Sequence, residues 1–156
     1  MKILIYGFGN PGRQDDGLGI FFAEELEAWA AGEKLEGLTF DSNYQLNAED
    51  ALMLKENDIV IFSDAAAKQE EPYKFRQIQA GDKISFSTHS MSPESLLAFC
   101  WEMYSKKPLT FIMSIKAKEW DINGELTNEA RANMNMALEF IKPMLKTPYL
   151  FTTPNN

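Results

Sequence analysis

Cysteine and histidine each occur once in the 156 residues. A single thiol, Cys100, makes no internal disulfide, which excludes a disulfide-stapled fold and fits a reducing compartment. Long apolar runs are missing too. No stretch approaches the ~20 residues of a membrane-spanning helix, and the opening run MKILIY breaks at Gly7, too short for a signal peptide. Positive charge is also scarce, with 15 Lys and Arg against 23 Asp and Glu and a net charge of −8. Beyond Lys106–Lys107 there is no basic cluster, so this surface repels phosphate backbones and anionic lipid. Nucleic acid and membrane are excluded as partners on that balance, and a partner with a basic segment suits it better. The expectation is a soluble cytoplasmic protein.

What is present is the ordinary mixture of a globular domain, 45% hydrophobic and 24% charged. The length suits one domain with a sizeable core. Residues 2–7 form a short apolar run, as in a strand buried on both faces. From Asp16 to Ala31, Leu18, Phe21, Phe22, Leu26 and Trp29 recur at helical spacing, with Glu24, Glu25 and Glu27 on the other face. Leu38–Asp41 reads as a second strand, and Asn47–Glu56 as a helix opening on a capping box of Asn47 and Asp50. Asp58–Asp64 is a buried strand, and the alternation over Tyr73–Gln79 predicts an edge strand. A short strand over Ile84–Ser87 leads into the loop THSMS. Ser92–Pro93–Glu94 then starts a helix to Tyr104 in the order cap, proline, acid. Leu109–Ile115 is another strand and Thr127–Leu145 the last long helix. Strands alternate with helices almost throughout, which predicts an α/β fold: a three-layer αβα sandwich with a mostly parallel, twisted sheet. The domain is expected over residues 1–146, with 147–156 a flexible tail.

Open α/β sheets build sites at the carboxyl ends of their strands. Asp15 and Asp16 follow the first strand, Asp41 ends the second, Asp64 ends the third, and His89 follows the short strand near residue 86. Carboxylates and one imidazole form a hard-to-borderline ligand set, for which nickel, zinc and iron are all admissible, and which leaves coordination positions open. Each member also has a plainer use. Asp15 and Asp16 can cap the first helix, Asp41 and Asp64 can form strand-end turns, and a lone histidine has several common roles.

Other matches carry less. Gly7, Gly9 and Gly12 spell GxGxxG, but Pro11 removes a backbone donor and two acids stand where a pyrophosphate needs free helix amides. Asp41 also comes later than a ribose-binding acid should. Cys100, between Phe99 and Trp101 with no basic neighbour, reads as a core thiol. The serines near His89 lack a GxSxG elbow, which argues against a serine hydrolase.

The opening GFGNPGRQDDGLG resembles the N-terminal signature of the hydrogenase maturation proteases: strand, G-x-G-N, and a pair of acids before G-x-G. FDSNYQLNAEDA, DIVIFSDAA, STHSMSPESLL and IKAKEWDINGELTNEARANMNMALEFI resemble, in order, that family's second-strand aspartate region, third strand, histidine loop and closing strand, loop and helix. The likeness covers about residues 1–145. It implies a cytoplasmic, aspartic-type endopeptidase that removes a C-terminal extension from the precursor of a [NiFe] hydrogenase large subunit after nickel insertion. It further implies that Asp16, Asp64 and His89 contact the metal, which is nickel carried by the substrate and not held permanently. Asp16 and Asp41 are the carboxylates it implies for cleavage, with a metal-polarised water as the alternative attacking group, and the expected state is a monomer. Two departures stand out. Ser42–Asn43–Tyr44–Gln45 replaces a glycine-rich stretch, pointing to a different hydrogenase class as substrate. Asp16 stands where some relatives have glutamate, one methylene longer.

Two other functions compete. Peptidyl-tRNA hydrolase shares the strand and G-x-G-N-P-G opening, but this chain has RQDDGLG without histidine, and its charge opposes tRNA. A nickel-dependent checkpoint that binds the precursor without cutting it is the non-enzymatic alternative.

Overall fold

The computed structural model describes residues 1–81 and 91–153. Among these residues five strands, β1 (Ile3–Phe8), β2 (Leu38–Asn43), β3 (Ile59–Ala66), β4 (Tyr73–Ile78) and β5 (Leu109–Lys116), form one sheet in the order β2-β1-β3-β5-β4. The first four neighbours run parallel, and β4 lies antiparallel on the edge beside β5. Among the described residues four α-helices cover the sheet: α1 (Leu18–Gly32), α2 (Ala51–Lys55), α3 (Pro93–Tyr104) and α4 (Asn128–Lys146). The expected αβα sandwich is the observed fold, and the edge position of β4 matches its alternating sequence. The strand expected over 84–87 lies outside the described residues. Among the described residues no helix is long and apolar enough to cross a membrane.

The two-residue period of the strands divides the core. Ile3, Ile5, Ile59, Ile61, Phe111, Met113 and Ile115 face α1 and α4, where they meet Leu18, Phe22, Leu26, Met134, Leu138 and Ile141. Leu4, Tyr6, Val60, Phe62 and Ile112 face α2 and α3, against Leu54, Leu96 and Cys100. Strands buried on both sides need continuous apolar runs, which is why β1, β3 and β5 stand out in the sequence. Cys100 is fully buried, and that burial pushes its thiol pKa up, as suits a core residue.

Local signals set the helix starts. The Ser92 side chain accepts from the Ser95 amide at 3.0 Å, with Pro93 as the first helical residue of α3. Thr127 caps α4 through the Ala130 amide at 3.1 Å. The segment after α4 differs from the expected flexible tail. Pro148–Thr152 forms a 3-10 turn, and Phe151 is buried with its ring 5.6 Å from that of Phe111. Aromatic burial outweighs the loop-like composition there.

Connections from β1 and β3 leave in opposite directions, to β2 and toward β5, so the switch point of the sheet lies between them. Their pairing runs only to Gly7 opposite Ser63, while β3 continues to Ala66. Asp64 is thus the first residue of β3 beyond its partner, at the mouth of that crevice.

The start of α1 sits almost on the sheet here. The Ser63 hydroxyl donates to the Gly19 carbonyl at 2.7 Å, and a Cβ on Gly19 would lie 2.2 Å from the Ser63 carbonyl oxygen. A Cβ on Gly32, at the end of the same helix, would meet nothing within 4 Å. Gly19→Ala is therefore expected to destabilise by about 3 kcal/mol or more through overpacking, and Gly32→Ala to be neutral or stabilising by up to about 1 kcal/mol. Urea unfolding of both variants checks this; equal effects would contradict the close approach at Gly19.

Candidate functional site

The residues between β1 and α1 form a tight turn. Gly9 has φ +137°, and a Cβ on it would lie 2.2 Å from the Asp16 carbonyl oxygen, so only glycine fits. The Asn10 side chain accepts from the Gly12 amide at 2.9 Å, and its carbonyl accepts from the Arg13 amide at 3.0 Å. The Asn10 amide donates to Asp16 Oδ2 at 3.0 Å, which orients that carboxylate. The glycines and asparagine of the motif thus hold an acid and leave no phosphate cradle.

Asp15, beside it, does something the sequence does not announce. It is fully buried, 0% exposed, and its carboxylate accepts four hydrogen bonds from the loop between β5 and α4. The donors are the amides of Lys118 (2.8 Å), Glu119 (3.0 Å) and Thr127 (2.9 Å) and the Thr127 hydroxyl (2.8 Å). Burial alone would raise its pKa, but those donors, the Glu119 and Thr127 amides foremost, hold it below the ordinary value. The same loop meets the turn three times more, through the Asp15 amide on the Glu119 carbonyl (3.1 Å), the Asp121 amide on Gln14 Oε1 (3.0 Å) and the Asn123 amide on the Gly12 carbonyl (2.8 Å). Asp15 is a clamp, not a helix cap.

Asp16 and Asp64 come together. Both line a cavity of about 290 Å³ whose other walls are Phe8, Gly9, Tyr44, Gln45, Leu46 and Met91. The Met91 amide donates to the Leu46 carbonyl at 3.3 Å, joining the two lips of that cavity. Burial, with the negative charge of Asp16 adding to it, pushes the Asp64 carboxyl up to about 7, although the Ala65 amide on Asp64 Oδ1 (2.8 Å) pulls the other way. Two carboxylates that repel across a small cavity offer hard oxygen donors to a cation, whose charge would relieve both. Among the described residues no third His, Cys, Asp or Glu completes a cluster able to hold a metal ion. Two oxygen donors are few for a tight permanent site. His89, the expected third ligand, lies outside the described residues.

Asp41 stands apart from this cavity. β2 continues two residues past it, since Ser42 and Asn43 pair with Gly7 and Phe8, so Asp41 sits beside Tyr6 within the sheet and not at a strand end. It is exposed, its Oδ1 accepts from the Ser42 amide at 2.8 Å, and it borders a separate groove with Phe40, Glu24 and Glu27. Close to it, the Tyr6 hydroxyl donates to the buried Asp50 at 2.9 Å, and Asp50 also accepts from the Asn47 amide at 2.9 Å. Burial, then Asp50, then Asp41 push the Tyr6 hydroxyl well above the ordinary phenol range. Tyr6 is therefore a neutral, structural donor. Sequence reasoning missed Tyr44, Gln45, Leu46 and Met91 as cavity walls; the Tyr-Gln-Leu segment was the one visible hint.

Two predictions follow from the acids. Asp15→Asn turns an amide NH₂ toward donors and should cost about 3 kcal/mol or more, read by urea unfolding; a loss below about 1 kcal/mol would contradict the clamp. Asp64 has a folded pKa above its ordinary value, so it binds its proton more tightly when folded. Its contribution is intact below about pH 4 and is lost as pH rises through about 7. Asp64→Asn should therefore be more stable than the parent at pH 8, by on the order of 2 kcal/mol, and the two should converge near about pH 4. A stability difference that does not change with pH would contradict the raised value.

No protein-family model and no curated protein matches the chain. Solved structures do. The chain is similar to the [NiFe] hydrogenase maturation protease HycI of Thermococcus kodakarensis KOD1, with TM-score 0.72 and 19% identity over 93% of this chain and 92% of that one. It is similar to the hydrogenase maturating endopeptidase HybD of E. coli, with TM-score 0.72 and 18% identity over 95% and 94%. A third similar structure is the hydrogenase 2 maturation peptidase of Thaumarchaeota archaeon SCGC_AB-539-E09, with TM-score 0.69 and 20% identity over 94% and 99%. Nearly full coverage on both sides means that this chain has the fold of these maturation proteases over most of its length.

Proposed function

We propose that this chain is an endopeptidase that removes the C-terminal extension from a [NiFe] hydrogenase large-subunit precursor after nickel has been inserted. The observation that carries the reading is the meeting of Asp16 and Asp64 on one cavity at the switch point of the sheet. The fold shared with structures named as maturation proteases supports it, as does the signature GFGNPGRQDDGLG.

Asp16, Asp64 and His89 recognise the nickel that the substrate carries, so that only a metallated precursor docks productively. The charge of the cation stabilises the ionised form of Asp64, which burial foremost and the Asp16 charge in addition disfavour, and this makes docking itself selective for a loaded substrate. The scissile peptide then lies beside the cavity. Of the two carboxylates considered for cleavage, Asp16 lines that cavity and Asp41 does not, which favours Asp16 as general base. A water oxygen bonds to the carbonyl carbon, and its proton passes to Asp16. As the C–N bond breaks, that proton goes to the departing nitrogen. The reaction belongs in the cytoplasm, where the precursor is assembled.

Incubation with nickel-loaded and nickel-free precursor, followed by mass measurement of the large subunit, tests this. The parent chain should shorten only the loaded precursor. Asp16→Ala, Asp64→Ala and His89→Ala should each slow processing by roughly 100-fold or more. Near-normal cleavage by Asp16→Ala and His89→Ala would reject the assignment, and a stable complex of unchanged mass would identify a checkpoint in place of a protease.

A further inference from the structure

A second concavity lies on the other side of the sheet, between α1 and the loop 118–127. It holds about 530 Å³, and its floor is apolar, built from Phe21, Leu126 and Met134 with Pro11 at one end. Its rim is acidic: Glu24 and Glu25 from α1 and Glu125 from the loop, all exposed, with Arg131 the one cation. Among the described residues none of those three glutamates has an ion-pair partner. We propose that this groove is a docking site for a segment of the partner protein that carries apolar side chains flanked by lysine or arginine.

The volume is that of a ligand-binding cleft and admits more than one side chain. A floor of large apolar groups gains by being covered, and a rim of net negative charge selects what covers it. A nucleic acid, an anionic lipid or an acidic peptide would be repelled. A basic, apolar segment gains on both counts, and the overall charge of −8 steers it inward from a distance.

The position links the groove to the site. Pro11 belongs to the turn whose Asn10 amide orients Asp16. The opposite wall, Gly124–Leu126, belongs to the loop that Asp15 clamps through Lys118, Glu119 and Thr127. A segment seated there touches both sides of the clamp while the Asp16–Asp64 cavity stays open on the opposite face. A single large partner could thus be held across the carboxyl edge of the sheet, with its metal on one side and its anchor on the other.

This inference rests on the proposed substrate, so the probe is the nickel-loaded large-subunit precursor. Its affinity is measured by calorimetry for the parent chain, for Glu24→Lys/Glu25→Lys, and for a control of equal charge change, Glu36→Lys/Glu102→Lys, at exposed sites away from the groove. At about 50 mM salt the groove pair should weaken binding about tenfold and the control less than about threefold. At about 500 mM salt the groove pair should differ from the parent by less than about threefold, since the rim charges are exposed to screening. Leu126→Ser should weaken binding at both salt concentrations. Equal losses in the groove and control pairs would reduce the effect to net charge and overturn the docking site. So would an unaffected groove pair alongside normal binding and cleavage by the parent, with the proposed function left standing. Failure of the parent itself to bind would remove the substrate and this occupant together.

Discussion

A buried carboxylate holds together the end of this structure that carries the candidate site. Asp15 has no contact with solvent, and four donors from a loop more than a hundred residues away in sequence compensate its charge. An anion in such a place is tolerable only when its acceptors are filled. The requirement works in both directions. It fixes the turn after β1, and it also fixes the start of α4, because the Thr127 hydroxyl that reaches Asp15 is the one that caps the Ala130 amide. The adjacent acid, Asp16, inherits a position set by that clamp and by the Asn10 amide.

On this fixed turn the sheet supplies the second acid. Because β1 stops pairing with β3 at Gly7 while β3 runs on to Ala66, Asp64 has a gap on its β1 side and Ser114 of β5 on the other. The gap is small and walled by Phe8, Leu46 and Met91, so water solvates the carboxyl poorly and its pKa rises. Folding thus maintains an unfavourable pair of acids whose natural remedy is a cation. Under the proposed function, such a pair suits reading a metal that arrives with a substrate better than retaining one of its own.

Much of this was legible beforehand, for identifiable reasons. The strands β1, β3 and β5 are buried on both faces, so their sequences are continuous apolar runs, and the Ser-Pro-Glu start of α3 carries its own cap. The rejection of GxGxxG as a nucleotide motif agrees with glycines that serve close approach, as at Gly7 and Gly9. Asp16 and Asp64 were expected near one another because strand ends face the crevice, and they line one cavity. The same rule overreached at Asp41: the sequence Ser42–Asn43 looks like a turn, yet backbone pairing with β1 carries the strand through it. The clamp formed by Asp15 was not legible at all, since nothing local distinguishes a carboxylate that caps a helix from one that binds a distant loop. Phe151 was missed for a related reason, its burial depending on rings from β4 and β5.

Carbon-detected NMR titration of the Asp64 side-chain carboxyl, in the parent chain and in Asp16→Asn, tests most directly whether the two acids share one electrostatic site. The account predicts a midpoint near 7 in the parent and a lower one once the Asp16 charge is removed. A midpoint near about 4 in both proteins, the ordinary carboxylate value, would contradict it.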